Sequence, residues 1–161
     1  MQILAAKVDA NATVIFSSAT GMPFRDAVLQ VLPPEAAAEA PAEFEKARRS
    51  PDSDARWGGN SYRWLADIMD RRLWEDALKA KGALLAVQGA RDQSNPLSSA
   101  RAFRDAFAAR RHCNLTYWEY AEYDHAMVDD RGVSHLPEVL SRISAWMARS
   151  LKDPPAADCP L

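Results

Sequence analysis

Residues 83–103 read ALLAVQGARDQSNPLSSARAF, and this stretch decides the fold class. Its first seven residues form a compact apolar run, which is typical of a strand buried on both faces of a parallel sheet. After Pro96, the residues Ala100, Phe103 and Phe107 share one face of a predicted helix. A buried strand followed closely by an amphipathic helix is the repeating unit of an α/β fold.

Two more strands and a long helix extend this pattern. ATVIFSSATG (12–21) precedes it with a strand and a loop, NLTYWEY (114–120) follows it, and residues 1–8 are expected to be helical. The closing helix (136–151) is expected to bury one stripe, formed by Leu136, Val139, Leu140, Ile143, Met147 and Leu151. Strands that alternate with helices predict parallel pairing through right-handed crossovers. The predicted class is α/β, with about three parallel strands and flanking helices.

The composition argues against several classes of function. A net charge of −2, from 20 basic and 22 acidic residues, gives no electrostatic reason to expect nucleic acid or an anionic membrane as partner. No apolar stretch approaches the ~18 residues of a membrane span, and the N-terminus lacks the basic region of a signal peptide. Cys113 and Cys159 lack metal-ligand spacing. A disulfide between them is one alternative, but both are expected to be reduced thiols in the cytoplasm. No metal and no cofactor are expected.

Asp92 and His125 are the candidate catalytic pair. Each follows a predicted strand, and functional residues of an open parallel sheet collect in loops at the carboxyl ends of its strands. An ionised carboxylate that bonds one imidazole nitrogen fixes the tautomer and stabilises the imidazolium formed when the other nitrogen takes a proton. By itself Asp92 is typical of a turn, and His125 of a surface histidine. Their order after successive strands favours the catalytic interpretation.

Three segments resemble the α/β-hydrolases. VQGARDQSNPLSSARAF (87–103) resembles the acid loop of that family, LTYWEYAEYDHAMVDD (115–130) its last strand and histidine loop, and LPEVLSRISAWMARSL (136–151) its closing helix. The resemblance is nearest to the branch with prolyl-oligopeptidase-like enzymes, dienelactone-hydrolase-like enzymes and acyl-thioester hydrolases. It implies that Asp92 is the acid of a catalytic triad and His125 its general base.

The resemblance also implies a division of the chain. Residues 1–151 are expected to form a single partial α/β-hydrolase domain, and residues 152–161 a disordered tail. Within the domain, residues 22–81 are expected to be a cap-like excursion of short helices and loops, because their first half is rich in Ala, Glu and Pro.

The nucleophile elbow of the family, G-x-S-x-G between a strand and a helix, does not occur in the sequence. GNSYR (59–63) and GVSHL (132–136) each lack the second glycine. Residues 1–21 resemble the helix and strand that follow the elbow in the family. The serine and the oxyanion-hole loop are therefore expected upstream of Met1, and the chain alone is expected to be a truncated serine hydrolase with little or no activity.

The excursion supplies tentative substrate-binding residues. Met22, Tyr62 and Trp64 could form an apolar pocket wall suited to an acyl or aryl group. The competing interpretation is that Trp57, Trp64 and Trp74 simply pack the excursion onto the sheet, and it is favoured for at least two of the three. Nothing in the sequence separates ester, thioester and peptide substrates.

Other functions stay open at this point. The chain could be a non-catalytic product that acts as an interaction module, or one half that complements a partner chain. A flavodoxin-like binding domain is a weaker alternative, because the sequence lacks a phosphate-cradling glycine-rich loop. An open edge on the first strand and uncovered apolar surface predict a homo-oligomer or a partner chain.

Overall fold

A computed structural model describes residues 7, 8 and 10–156, and a three-stranded parallel sheet organises them. In chain order the elements are β1 (Ala12–Phe16), α1 (Phe24–Leu29), α2 (Pro34–Arg49), β2 (Arg56–Trp57), β3 (Asn60–Ser61), α3 (Tyr62–Ile68), α4 (Leu73–Ala77), β4 (Ala83–Gly89), α5 (Leu97–Ala109), β5 (Leu115–Tyr120) and α6 (Leu136–Lys152). The α/β class is confirmed. The helix expected over residues 1–8 falls almost wholly outside the described residues.

Strand β4 lies between β1 and β5, and both pairings are parallel. Leu85 aligns with Val14 on one side and with Thr116 on the other. All seven residues of β4 are buried, as the apolar run predicts. Because side chains alternate along a strand, Leu84 and Leu85 point to opposite faces of the sheet.

A helix covers each face. On one face Phe103 and Phe107 of α5 pack with Leu84 of β4 in a single apolar cluster. On the other face Ile143 of α6 packs with Leu85 in a second cluster. This double cover is what a parallel sheet requires, since neither face of such a sheet tolerates water.

The buried face of α6 differs from the predicted stripe. Val139 and Ile143 are buried as predicted, and so is Trp146, which was not in the stripe. Three other predicted members are exposed, at 49%, 36% and 55%: Leu140, Met147 and Leu151. The Trp146 indole Nε1 donates to the Thr116 hydroxyl at 3.1 Å. Burying this large ring with its donor satisfied turns the helix away from the predicted stripe.

The excursion, residues 22–81, forms four helices and a hairpin whose two strands, β2 and β3, have two residues each. The expectation of only short helices is wrong for α2, which runs for 16 residues through Pro41. Pro34 begins the helix at a position that proline favours, and three basic residues in its last turn, Lys46, Arg48 and Arg49, complement the helix dipole. Phe44 anchors α2 in a cluster of the excursion's own apolar residues: Ala40, Phe44, Ala47, Leu65 and Met69.

The cysteines and the apolar character of the helices were both subjects of expectations from the composition. Cys113 is disulfide-bonded, so the expected reduced thiol is wrong at that position, and Cys159 lies outside the described residues. Within the described part of the chain, none of the helices combines the length and the apolar character needed to cross a membrane.

The rotation of α6 predicts unequal costs for two neighbouring substitutions. Ile143→Ala is expected to lower the free energy of unfolding by about 2–5 kcal/mol, because it opens a cavity beneath the helix. Leu140→Ala, at a half-exposed site, is expected to change it by about 0.5 kcal/mol or less. Urea unfolding of both variants at low protein concentration measures the difference, and equal costs would mean that the predicted stripe faces the sheet after all.

Candidate functional site

The loops after β4 and β5 bring Asp92 and His125 into contact. His125 Nδ1 lies 2.9 Å from Asp92 Oδ2. The Asp92 side chain is fully buried, whereas the His125 side chain is 53% exposed. The geometry places a fixed carboxylate behind the ring and turns Nε2 away from that carboxylate.

Close backbone packing joins the two loops. The Ala90 N–H donates to the Tyr120 carbonyl at 2.8 Å, and the Arg91 N–H donates to the Tyr123 carbonyl at 3.0 Å. A Cβ atom at Gly89 would lie 2.3 Å from the Asp124 carbonyl oxygen, which no side chain tolerates. Gly89 therefore permits the approach that brings the His125 loop against the end of β4.

Asp92 also shapes its own turn. Its Oδ1 accepts hydrogen bonds from the backbone N–H groups of Ser94, at 2.7 Å, and Asn95, at 2.9 Å. The turn role and the histidine contact use different carboxylate oxygens. The two interpretations of Asp92 that the sequence allows are therefore compatible in this structure.

Hydrogen bonds from β1 and within the loop itself fix the backbone around His125. The Ser17 hydroxyl, at the end of β1, donates to the His125 carbonyl at 3.0 Å. Asp124 Oδ1 accepts from the backbone N–H groups of Ala126 and Val128, at 2.8 and 2.9 Å. Between them Met127 is fully buried and has a positive φ of 61°. The tight turn thus fixes the histidine backbone, although its ring is half exposed.

A second Asp–His pair braces the segment that leads into α6. Asp129 Oδ2 lies 3.2 Å from His135 Nε2, and the His135 ring stacks on Tyr123 with centroids 4.5 Å apart. Asp129 Oδ1 accepts from the backbone N–H of Val133, and this bond, together with His135, holds the pKa of Asp129 well below its usual range. Sequence reasoning missed this pair, because it considered only His125 among the histidines as a candidate.

A cavity of about 560 Å³ opens beside the His125 ring. Its lining residues are Arg91, Gln93, Ser94, Asp124 and His125. These side chains offer one cation, one carboxylate and neutral polar groups within reach of the imidazole. Among the described residues no group of three or more His, Cys, Asp or Glu is placed to hold a metal ion.

The three tentative pocket residues of the excursion are not among those that line this cavity. Met22 accepts a hydrogen bond from Gln30 at its sulfur. The Tyr62 hydroxyl donates to Glu43 at 2.6 Å within the excursion. Trp64 is 41% exposed and packs edge-to-face on Phe24. Their role as substrate contacts stays a prediction.

The other two tryptophans of the excursion have packing roles. Trp74 is buried in the core cluster that includes Ile15 of β1, so it ties the excursion to the sheet. Trp57 packs edge-to-face on Phe44, with ring centroids 5.6 Å apart. Of these two, Trp74 packs the excursion onto the sheet as the competing interpretation expected, whereas Trp57 packs within the excursion.

Sequence reasoning also missed two buried polar side chains near Asp92, Gln88 and Asn95. Both are buried, and each hydrogen-bonds within the acid loop. One signal was visible in advance, since Gln88 is the single strongly polar residue in the apolar run ALLAVQG. The burial of an amide there requires hydrogen-bond partners.

Comparisons with solved structures show several similar folds. Est1E of Butyrivibrio proteoclasticus, solved with ferulic acid bound, superposes with a TM-score of 0.59 and 17% identity over 94% of this chain and 55% of its own. A monoacylglycerol lipase of Paleococcus ferrophilus gives 0.56 and 12% identity over 92% of this chain and 65% of its own. An esterase of Pyrococcus furiosus gives 0.51 and 14% identity over 93% and 49%.

These likenesses, with the parallel sheet and its two covering helices, show that the chain has the α/β-hydrolase fold. The chain spans about half the length of the first of these solved chains, so it holds part of that fold. No family model matches the sequence, and no curated protein matches it.

The lowered pKa of Asp129 predicts how stability changes with pH. A carboxyl with a depressed folded-state pKa contributes stability above its unfolded pKa of about 4 and loses it as the pH falls towards the folded value. The stability difference between the parent chain and Asp129→Asn is therefore expected to be largest above about pH 4 and to shrink in acid.

Urea unfolding of both proteins between about pH 6 and pH 2 measures this difference. Asp130→Asn is the matched control, because Asp130 is the exposed neighbour in the same loop. If the difference in unfolding free energy between the parent chain and Asp129→Asn stayed constant over this range, the stabilising role of the ionised Asp129 would be contradicted.

Proposed function

We propose that Asp92 and His125 are the acid and general base of a serine-type acyl hydrolase. The contact of 2.9 Å between a buried carboxylate and a half-exposed imidazole carries the proposal. In this mechanism a serine hydroxyl attacks the acyl carbon while His125 Nε2 takes its proton. His125 then returns the proton to the leaving group, and Asp92 holds the ring in the required tautomer. Water releases the acyl group in the second half of the cycle.

We further propose that the serine comes from residues outside this sequence. In the described chain β1 pairs with β4 alone, so its other edge can accept a parallel strand. Such a strand would lie about 4.8 Å from β1, and its carboxyl end would fall beside Ser17. Since the Ser17 hydroxyl bonds the His125 carbonyl, a residue just after the added strand would be close to the base.

The substrate class follows from the chemistry and from the solved relatives of the fold. A nucleophile and general base of this kind cleave esters, thioesters or peptides, and we place esters first because the structural neighbours include esterases and a lipase. Without a serine and oxyanion donors, the 161 residues alone are expected to have little or no activity.

The cytoplasmic location expected from the sequence remains a prediction. It rested in part on reduced thiols, and Cys113 is disulfide-bonded. Disulfides persist chiefly in oxidising compartments, so the bond at Cys113 weighs against a reducing cytoplasm.

A second candidate function is partner binding without catalysis. Two observations favour it: the unpaired edge of β1 among the described strands, and the exposed side chains of Leu140 and Leu151 on α6. We propose that a second copy or a partner chain covers these surfaces. The same cover would serve a hydrolase that is completed by assembly.

An activity-based fluorophosphonate probe tests the hydrolase, because it reacts with an activated serine. The 161-residue chain is compared with the product of its coding region extended upstream to the preceding in-frame stop codon. The extended product is expected to label at a serine outside the 161 residues. His125→Ala is expected to lower the labelling rate by about 10³-fold or more, because the serine loses its base.

His112→Ala is the matched histidine control, since His112 lies between α5 and β5, at the amino end of the strand whose carboxyl end leads to His125. Labelling that survives His125→Ala would rule out the proposed base. A labelled serine inside the 161 residues would disprove the external nucleophile. An in-frame stop directly before Met1, with no labelled partner chain that co-purifies, would leave partner binding as the function.

The exposed apolar side chains of α6 also predict self-association of the isolated chain. Leu140→Lys combined with Leu151→Lys is expected to convert a dimer or larger species into monomer, because charge on the exposed stripe opposes its burial. Sedimentation velocity measures the change, and Ser141→Lys on the same helix is the exposed polar control. A parent chain that sediments as a well-folded monomer would contradict this prediction.

A further inference from the structure

Gln88 is a polar residue at the end of an otherwise apolar buried strand. Its side chain is fully buried, as are its neighbours along β4. Burying an amide is unfavourable unless its donors and its acceptor are bonded. A methionine or leucine would fill similar space without that requirement, so the amide calls for a specific explanation.

Each polar atom of the Gln88 amide has a partner. Nε2 lies 2.9 Å from Asp92 Oδ2, 3.0 Å from the Gly89 carbonyl and 3.4 Å from the Asn95 carbonyl. Oε1 accepts from Asn95 Nδ2 at 2.8 Å. Three acceptors around one atom and a donor at the other fix the orientation of the amide. The reverse orientation would set its oxygen against a carboxylate.

Asp92 Oδ2 is the oxygen that also faces His125. It receives the Gln88 amide at 2.9 Å and lies 2.9 Å from His125 Nδ1. The other oxygen is occupied by two backbone N–H groups, those of Ser94 and Asn95. Among the described residues the carboxylate therefore has three donors besides the histidine, and of these the Gln88 amide alone shares an oxygen with the imidazole.

Asn95 closes this arrangement into a hydrogen-bonded network of three buried residues, Gln88, Asp92 and Asn95. Its backbone N–H bonds Asp92, and its side-chain amide bonds both Gln88 Oε1 and, at 3.3 Å, the Ala19 carbonyl after β1. This network thus spans the ends of two adjacent strands, β1 and β4. It holds the acid in place without any contribution from the exposed histidine.

We propose that Gln88 is a positioning residue for the base. The Gln88 amide donates to one lone pair of Asp92 Oδ2 and leaves the other lone pair facing His125 Nδ1. His125 is thereby held as the tautomer that carries its proton on Nδ1. This inference rests on the proposed function, since it assigns Gln88 a part in preparing His125 Nε2 as proton acceptor. A glutamate here would set a second carboxylate against Asp92, and an asparagine would be one methylene short.

The test is ring-¹⁵N NMR of histidine in the intact 161-residue chain, at a pH where the imidazoles are neutral. The parent chain is expected to show His125 as the Nδ1–H form. Gln88→Met keeps the length of the side chain but removes its donors. It is expected to raise the ratio of the Nε2–H to the Nδ1–H form by roughly tenfold, the size that one hydrogen bond to a charged group carries.

Three comparisons make the result specific. Asn95→Ser, which removes the amide that holds Gln88 Oε1, is expected to give a smaller shift in the same direction and covers a failure of Gln88→Met to fold. Leu84→Ala, on the same strand and face, loses packing but leaves every Asp92 contact, so its His125 signals are expected to match the parent. His135, which faces Asp129 through Nε2, is an internal reference expected to stay unchanged.

The outcomes separate this inference from the proposed function, because the tautomer does not depend on a nucleophile. An unchanged His125 tautomer in both Gln88→Met and Asn95→Ser overturns the inference, even if the probe labels the extended protein. A shifted tautomer supports it, even if labelling fails. A shift of the same size in Leu84→Ala would reduce Gln88 to a merely structural residue and would also overturn it.

Discussion

The burial of β4 between two helical layers is the constraint on which the rest of this structure depends. All of its side chains are buried, and both neighbouring strands align with it in parallel. Because side chains alternate along a strand, β4 contributes to the core under α5 and to the core under α6 at once. The same strand ends at Gly89, where a missing side chain admits the His125 loop. The strand β4 therefore determines both the packing of the core and the position of the site.

The end of β4 also shows how a charge is accommodated beside an apolar core. A buried carboxylate is tolerated when its lone pairs are bonded, and Asp92 meets this condition through two backbone N–H groups, Gln88 and His125. The donors other than His125 hold the acid, while the half-exposed ring of His125 remains accessible. Proton transfer needs this division between a fixed orienting group and a base that substrate can reach.

In the function that we propose, assembly and chemistry are coupled. The faces of the sheet are covered by α5 and α6, but β1 pairs only with β4 among the described residues. Whatever chain segment lies along β1 would also lie next to Ser17, whose hydroxyl bonds the His125 carbonyl. Covering that edge and completing a site around His125 would therefore be the same event.

The sequence by itself predicted the α/β class, the three strands and the pairing of Asp92 with His125, because periodicity and strand order are local properties that a chain carries before it folds. Tertiary structure decided the rotation of α6, where the apolar stripe is wider than the face it covers and the bond from Trp146 to Thr116 selects one orientation. It also decided the network around Gln88, in which the loop after β4 folds back onto the strand end and Asn95 bonds the Ala19 carbonyl after β1. Contacts between distant segments leave no periodic trace in the sequence, so only the packed chain could reveal them.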